Sequence, residues 1–98
     1  MEFEWDDHNL CHVFEESPHG LTPAIVRTIA SRRPKLFPNH TGLGRTGSHL
    51  MIGPDDRNRL WTVVLLDLGD DHWRPITGWQ SPATHRELYE ITEDDDDQ

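Results

Sequence analysis

The sequence predicts a small α+β domain in the order β-α-α-β-β-β-α, an antiparallel sheet with its helices on one face. Three observations predict it. The 98 residues fit one domain and are too few for a (β/α)8 barrel or a two-domain dinucleotide enzyme. Only 34% of residues are apolar while 28% are charged, so the core is expected to be thin, a single sheet covered on one side. The apolar spacing also changes along the chain between period two and period 3.6, with short turns between the later strands.

Glu2 to Trp5 alternates polar and aromatic residues, the pattern of a short strand. Asp6 or Asp7 can cap a helix whose stripe is Leu10, Val13 and Phe14, and Ser17-Pro18-His19-Gly20 stops it. Thr22-Pro23 opens a second helix, with Thr at the N-cap and Pro at the first helical position. Its buried stripe is Ile25, Val26, Ile29 and Ala30, and Pro34 ends it. Residues 35–47 read as a loop. Ser48 to Ile52 reads as a strand, and Pro54 to Asn58 as a turn.

Arg59 to Leu68 is the strongest strand, apolar on both faces and therefore central. Gly69 to His72 is a second turn, and Trp73 to Trp79 a further strand that Pro75 pushes toward a sheet edge. Ser81-Pro82 repeats the cap-then-proline form. The last helix runs to about Thr92, with Thr84, Leu88 and Ile91 as its inner stripe. One domain is thus expected over residues 1–92. Residues 93–98 hold five acids and no base, a tail expected to be disordered.

The net charge of −9 is unevenly distributed. Residues 1–16 carry six acids and no Lys or Arg, whereas residues 17–54 carry five bases and no acid. A net anion argues against nucleic-acid binding, but that window leaves room for a local basic face. There is no apolar run of membrane-spanning length and no apolar signal core near the acidic start. Cys11 stands alone, which suits a reducing compartment. The expected location is the cytoplasm, with no membrane partner.

Several motifs compete with plainer readings. Gly42-Leu43-Gly44-Arg45-Thr46-Gly47 spells G-x-G-x-x-G, but a strand before it and a helix after it are missing, so a dinucleotide site is not expected. His8 and His12 sit four apart, with Cys11 beside His12, a spacing that can put two imidazoles on one metal; a third and fourth ligand are not evident nearby, and the residues read as a solvated helix face. No metal is expected. His85 and Tyr89 lie four apart on the last helix and share a face, as do Arg86 and Glu90. No nucleophile elbow, CxxC pair or Walker loop is present. Four Trp are more than a thin core buries, and exposed aromatics beside Arg can stack on bases or anchor an interface.

Phe3-Glu4-Trp5-Asp6 with Asn9, His19-Gly20-Leu21-Thr22, Gly53 followed by Arg59 and the central strand, and Ile76-Thr77-Gly78-Trp79 leading into Ser81-Pro82-Ala83-Thr84-His85-Arg86-Glu87-Leu88-Tyr89 occur in that order. In these strings, over about residues 3–89, the chain resembles the BrnT-like toxins of bacterial type II toxin–antitoxin systems, within the RelE-like ribonuclease superfamily. The resemblance implies a RelE/BrnT-like fold and metal-independent RNA cleavage without a cofactor. It also implies a cognate DNA-binding antitoxin as partner, with DNA reached only through that complex. Cleavage through 2′-hydroxyl attack needs a base, cations for the charged phosphorane and an acid for the leaving oxygen. The catalytic candidates are Arg59, His85, Arg86 and Tyr89, with His85 and Tyr89 as acid–base pair and Glu87 as an alternative base. Arg45, Arg74 and Trp79 are the RNA-binding candidates. The alternative is a toxin-like interaction module without catalysis. It rests on Asp7, Glu15 and Glu16 in the first helical region and on Gly78-Trp79-Gln80, which lacks a base.

Overall fold

The computed structural model describes residues 1–11, 20–40 and 47–96, with side chains through residue 91. Its elements are β1 (Glu2–Phe3), α1 (Asp7–Leu10), α2 (Pro23–Ser31), β2 (Lys35–Pro38), β3 (His49–Pro54), β4 (Leu60–Gly69), β5 (His72–Gln80) and α3 (Ala83–Asp96). The α+β class stands. The five strands form one sheet in the order β1-β5-β4-β3-β2, with β4 in the centre as its two-sided apolar pattern predicts.

The sheet is mixed rather than antiparallel. β2, β3, β4 and β5 pair antiparallel in sequence, but β1 runs parallel to β5. A hairpin forces antiparallel neighbours. β1 reaches β5 only after most of the chain has intervened, so that constraint is absent. β2 is a further correction, because it lies inside the predicted loop. It pairs with β3 from Lys35↔Ile52 to Pro38↔His49. As an edge strand it accommodates a proline, and a four-residue strand carries too little pattern to stand out locally.

Pro75 does not place β5 at an edge, since β1 and β4 flank it. β1 pairs only with His72 and Trp73, so no ladder bond from β1 reaches position 75. On the β4 side the register passes from Val64↔Thr77 to Leu65↔Pro75, leaving Ile76 as the extra residue of a bulge. The Pro75 carbonyl accepts from Asn9 Nδ2 at 3.2 Å. Asn9 is buried and also completes a capping box with Asp6 at the start of α1. Between β4 and β5, Asp70 and Asp71 both take positive φ (54° and 61°), the two-residue hairpin turn that matches strand twist.

One face of the sheet packs Trp61, Val63 and Leu65 of β4, Met51 and Trp73 against Leu21 and the α2 residues Val26 and Ile29. α2 is specified locally: Thr22 Oγ1 accepts from the Ile25 N–H and Pro23 fills the first turn. The opposite face carries Leu50, Ile52, Thr62 and Val64, all buried. α3 meets the sheet on this second face, through His85 and Thr62. The helices therefore do not share one face. Residues 61–65 of β4 are all buried, and side chains that alternate across a strand need cover on both sides.

α3 is also rotated from its predicted stripe. Leu88 and Ile91 are 38% and 60% exposed, while His85 and Tyr89 are half-buried. The hydroxyl of Thr62 on the sheet supplies a polar anchor where an apolar one was expected. α3 starts at Ala83 with the Pro82 carbonyl accepting from the Arg86 N–H, and Ser81 turns its hydroxyl to Thr62. The backbone stays helical through Asp96, past the predicted end at Thr92, since propagating an existing helix is easier than starting one. Val13, Phe14 and residues 97–98 lie outside the described residues. No helix among the described residues is long and apolar enough to cross a membrane.

Candidate functional site

The β3–β4 turn is organised by one buried carboxylate. Asp55 is 1% exposed. Its Oδ1 accepts from the backbone N–H groups of Arg57 and Arg59 at 2.8 and 2.9 Å, and its Oδ2 from Arg59 Nε and Trp61 Nε1 at 3.0 and 2.9 Å. Burial pushes this carboxyl up. The hydrogen bonds from Trp61, Arg59 and Arg57 outweigh burial and hold it down at about 2. The C-terminal end of α2 joins the turn, where the Arg32 guanidinium donates to the Asp55 carbonyl and to Asn58 Oδ1.

The carboxylate grips Arg59 by Nε and leaves its side chain 47% exposed. Beside it a hollow of about 340 Å³ is lined by Asn58, Arg59, Gln80, Ser81, Arg86 and Glu90. The strand ends bring these together, because the Ser81 N–H donates to the Leu60 carbonyl at 2.9 Å and starts α3 next to the start of β4. Two guanidinium groups thus share one hollow, a chemistry suited to phosphate oxygens.

Next to the hollow runs a short hydrogen-bond chain. Thr62 Oγ1 lies 2.9 Å from Ser81 Oγ and 2.9 Å from His85 Nδ1. A hydroxyl has one proton to donate, so the chain couples the three groups. When His85 Nδ1–H donates to Thr62 and Thr62 donates to Ser81, Nε2 carries the free lone pair of a base. Trp79 pairs with Thr62 across β4 and β5, which puts it on the same face of the sheet. Tyr89 follows His85 by one helical turn and is half-buried.

Arg59, His85, Arg86, Tyr89 and Trp79 therefore lie at one end of the molecule. Arg74 does not join them. It faces Leu66, roughly 20 Å along β4 from Arg59, and is bound by Glu4 Oε1 at 3.1 Å and Asp6 Oδ2 at 2.7 Å. The hydrogen bond from Arg74 is the main cause that holds the Asp6 carboxyl at about 2. Arg45 lies outside the described residues, as do His12 and most of the glycine loop. Among the described residues no group of three or more His, Cys, Asp or Glu is arranged to hold a metal ion.

Sequence reasoning missed Thr62, Ser81, Asn58, Gln80 and Glu90. Thr62 had a usable signal, as the one polar residue inside the run from Leu60 to Leu66. A polar group in a strand buried on both faces needs a partner. Glu90, and not Glu87, lines the hollow.

Charge separates along the sheet. Arg32, Arg33, Arg57, Arg59 and Arg86 gather around the β3–β4 turn, with Asp56, Glu87 and Glu90 as exposed acids on the same elements. Glu2, Glu4, Asp6, Asp70 and Asp71 gather at the opposite end, around the β4–β5 turn and β1. No family model matches this chain, and no curated protein and no solved structure matches it.

Proposed function

We propose that the chain is the toxin of a BrnT-like type II toxin–antitoxin pair and cleaves RNA without a metal. The observation that carries this reading is the hollow shared by Arg59 and Arg86 beside the Thr62–Ser81–His85 chain. A phosphodiester seated between the two guanidinium groups has its developing charge met by bidentate donors. His85 Nε2 takes the 2′-hydroxyl proton, the 2′-oxygen attacks phosphorus and the bond to the 5′-oxygen breaks. Tyr89 gives its proton to that leaving oxygen. The products are a 2′,3′-cyclic phosphate and a 5′-hydroxyl, and proton exchange with water restores both side chains. Trp79 offers a stacking surface for a neighbouring base. The partner is a DNA-binding antitoxin encoded beside the gene, and DNA is engaged only by the complex. The site of action is the cytoplasm.

Induced expression in a bacterium tests this. Growth arrest with RNA cleavage, persistence of cleavage by purified protein in EDTA, and relief by the neighbouring gene product are expected. The double variant His85→Ala/Arg86→Ala should lose cleavage by at least about 100-fold; undiminished cleavage would reject this site. The second reading, an interaction module without catalysis, is favoured by the exposed Leu88 and Ile91 on α3. Harmless expression with intact RNA, together with capture of the neighbouring gene product, would select it.

A further inference from the structure

A second concavity lies away from the arginine hollow, between β1 and the outer side of α2. It encloses about 600 Å³, within the range of small-molecule sites. Phe3 and Trp5 form one wall, their ring centroids 6.5 Å apart and their planes tilted by 50°. Arg27, Ala30 and Ser31 form the other, spaced three and four residues apart on one side of α2. Two charged groups on the rim have partners: the Met1 ammonium pairs with Asp71, and the exposed Glu2 carboxylate accepts from His72 Nε2. The Ser31 hydroxyl donates to the Thr28 carbonyl. The Arg27 guanidinium and the Trp5 indole N–H have no partner among the described residues. The groove thus combines aromatic walls, an apolar floor at Ala30, a guanidinium without an ion-pair partner among the described residues and one unused neutral donor, with the Glu2 carboxylate on its rim.

We infer that this groove between β1 and α2 binds a small planar aromatic anion, its ring against Phe3 and Trp5 and its acidic group on Arg27. A ring alone leaves the guanidinium unmatched, and an inorganic anion alone leaves the aromatic walls unused. A neutral ring gains only burial, whereas an acidic group adds a charge-assisted hydrogen bond. Two sources share this chemistry, a nucleoside monophosphate and an aromatic carboxylate.

Isothermal titration of the full chain with adenosine 5′-monophosphate, indole-3-acetate, adenosine, indole and inorganic phosphate tests the inference. At least one ring-bearing anion should bind at least about tenfold tighter than its neutral counterpart and than phosphate, the scale of one charge-assisted hydrogen bond. Whichever of the two binds tighter identifies the source. Arg27→Gln, an exposed position that leaves the core intact, should weaken that binding by about tenfold or more. Ala30→Trp should fill the groove and abolish it, with far-UV circular dichroism confirming the fold. Arg59→Gln should leave it unchanged, so failure here is separable from failure of the RNA site. Equal binding of charged and neutral rings, wild-type affinity in Arg27→Gln, loss of binding in Arg59→Gln, or no heat from any probe at millimolar concentration would overturn the proposal.

Discussion

Replacing Asp55 with Asn changes one oxygen into an NH2 group at the most connected carboxylate of the fold. Oδ1 serves two backbone N–H groups, and Oδ2 serves Trp61 Nε1 and Arg59 Nε. Whichever way the amide turns, its NH2 faces two N–H donors. The bond from Trp61 is buried and goes to a charged acceptor, so its loss costs about 1.5–3 kcal/mol. The bond from Arg59 comes from a half-exposed side chain and adds at most about 1 kcal/mol. The carboxyl gives an independent view of the same interactions. A drop from 3.8 to about 2 corresponds to about 2 kcal/mol. The two routes overlap, so a loss of about 2–4 kcal/mol is expected, against a total of about 5–15 kcal/mol for a domain of this size.

Urea unfolding between pH 7 and pH 2 measures it. Because the folded state lowers this carboxyl, the unfolded state binds the proton first. The contribution is complete above about pH 5 and is lost as pH falls through 3.8 toward about 2. Asp6 and Asp71 are also lowered in the folded state, so the wild-type acid limb is composite. The difference between wild type and Asp55→Asn isolates Asp55 and should shrink as the pH approaches 2. A loss under about 1 kcal/mol at pH 7, or a difference that does not change with pH, would refute the account of the turn.

Other positions make independent demands. A Cβ at Gly78 would lie 2.5 Å from Leu21 Cδ2 and 2.9 Å from the Thr62 carbonyl oxygen; Gly78→Ala should cost about 1–3 kcal/mol, visible as a lowered urea midpoint with unchanged slope. Asn9→Ala removes the N3 side of the capping box and the bonds to the Glu4 and Pro75 carbonyls, so a loss of about 2–3 kcal/mol is expected in the same assay. Thr62→Val keeps the buried shape and deletes the hydroxyl that links Ser81 to His85. It should change stability by no more than about 2 kcal/mol while lowering RNA cleavage by about 100-fold, and equal rates for variant and wild type would remove the hydroxyl chain from the mechanism.

Local chemistry was legible in the sequence wherever a few neighbouring residues decide it. Thr22-Pro23 starts α2, and Val26 and Ile29 are buried as their spacing predicts. The apolar run from Leu60 to Leu66 identifies β4 as central. What was not legible depends on partners far apart in sequence. β2 exists because β3 offers it an edge. Arg74 looks like its fellow arginines until Glu4 and Asp6, about 70 positions earlier, close on it. The side of α3 was misjudged for a different reason. A low apolar fraction argued for one covered face, whereas the two-sided apolar pattern of β4 already demanded two. The pattern is the stronger warrant, because it concerns the strand that must be buried, and composition averages over surface and core.

The same distinction between average and local governs the charge. Residues 1–92 carry thirteen acids and nine bases, which looks unfavourable for RNA. The acids around β1 and the β4–β5 turn lie about 20–30 Å along β4 from the β3–β4 turn, Glu4 and Asp6 at the near end through Arg74. The Debye length at physiological ionic strength is about 8 Å, so charge at one end contributes little to the potential at the other. Asp55 lies nearby but is buried and turned inward on four N–H donors. Asp56, Glu87 and Glu90 remain against five arginines around the turn, and the four acids at 93–96 extend α3 beyond Glu90. An RNA phosphate at the β3–β4 turn meets those arginines at short range, so the net charge of the whole chain does not by itself decide against an arginine-lined site at this end.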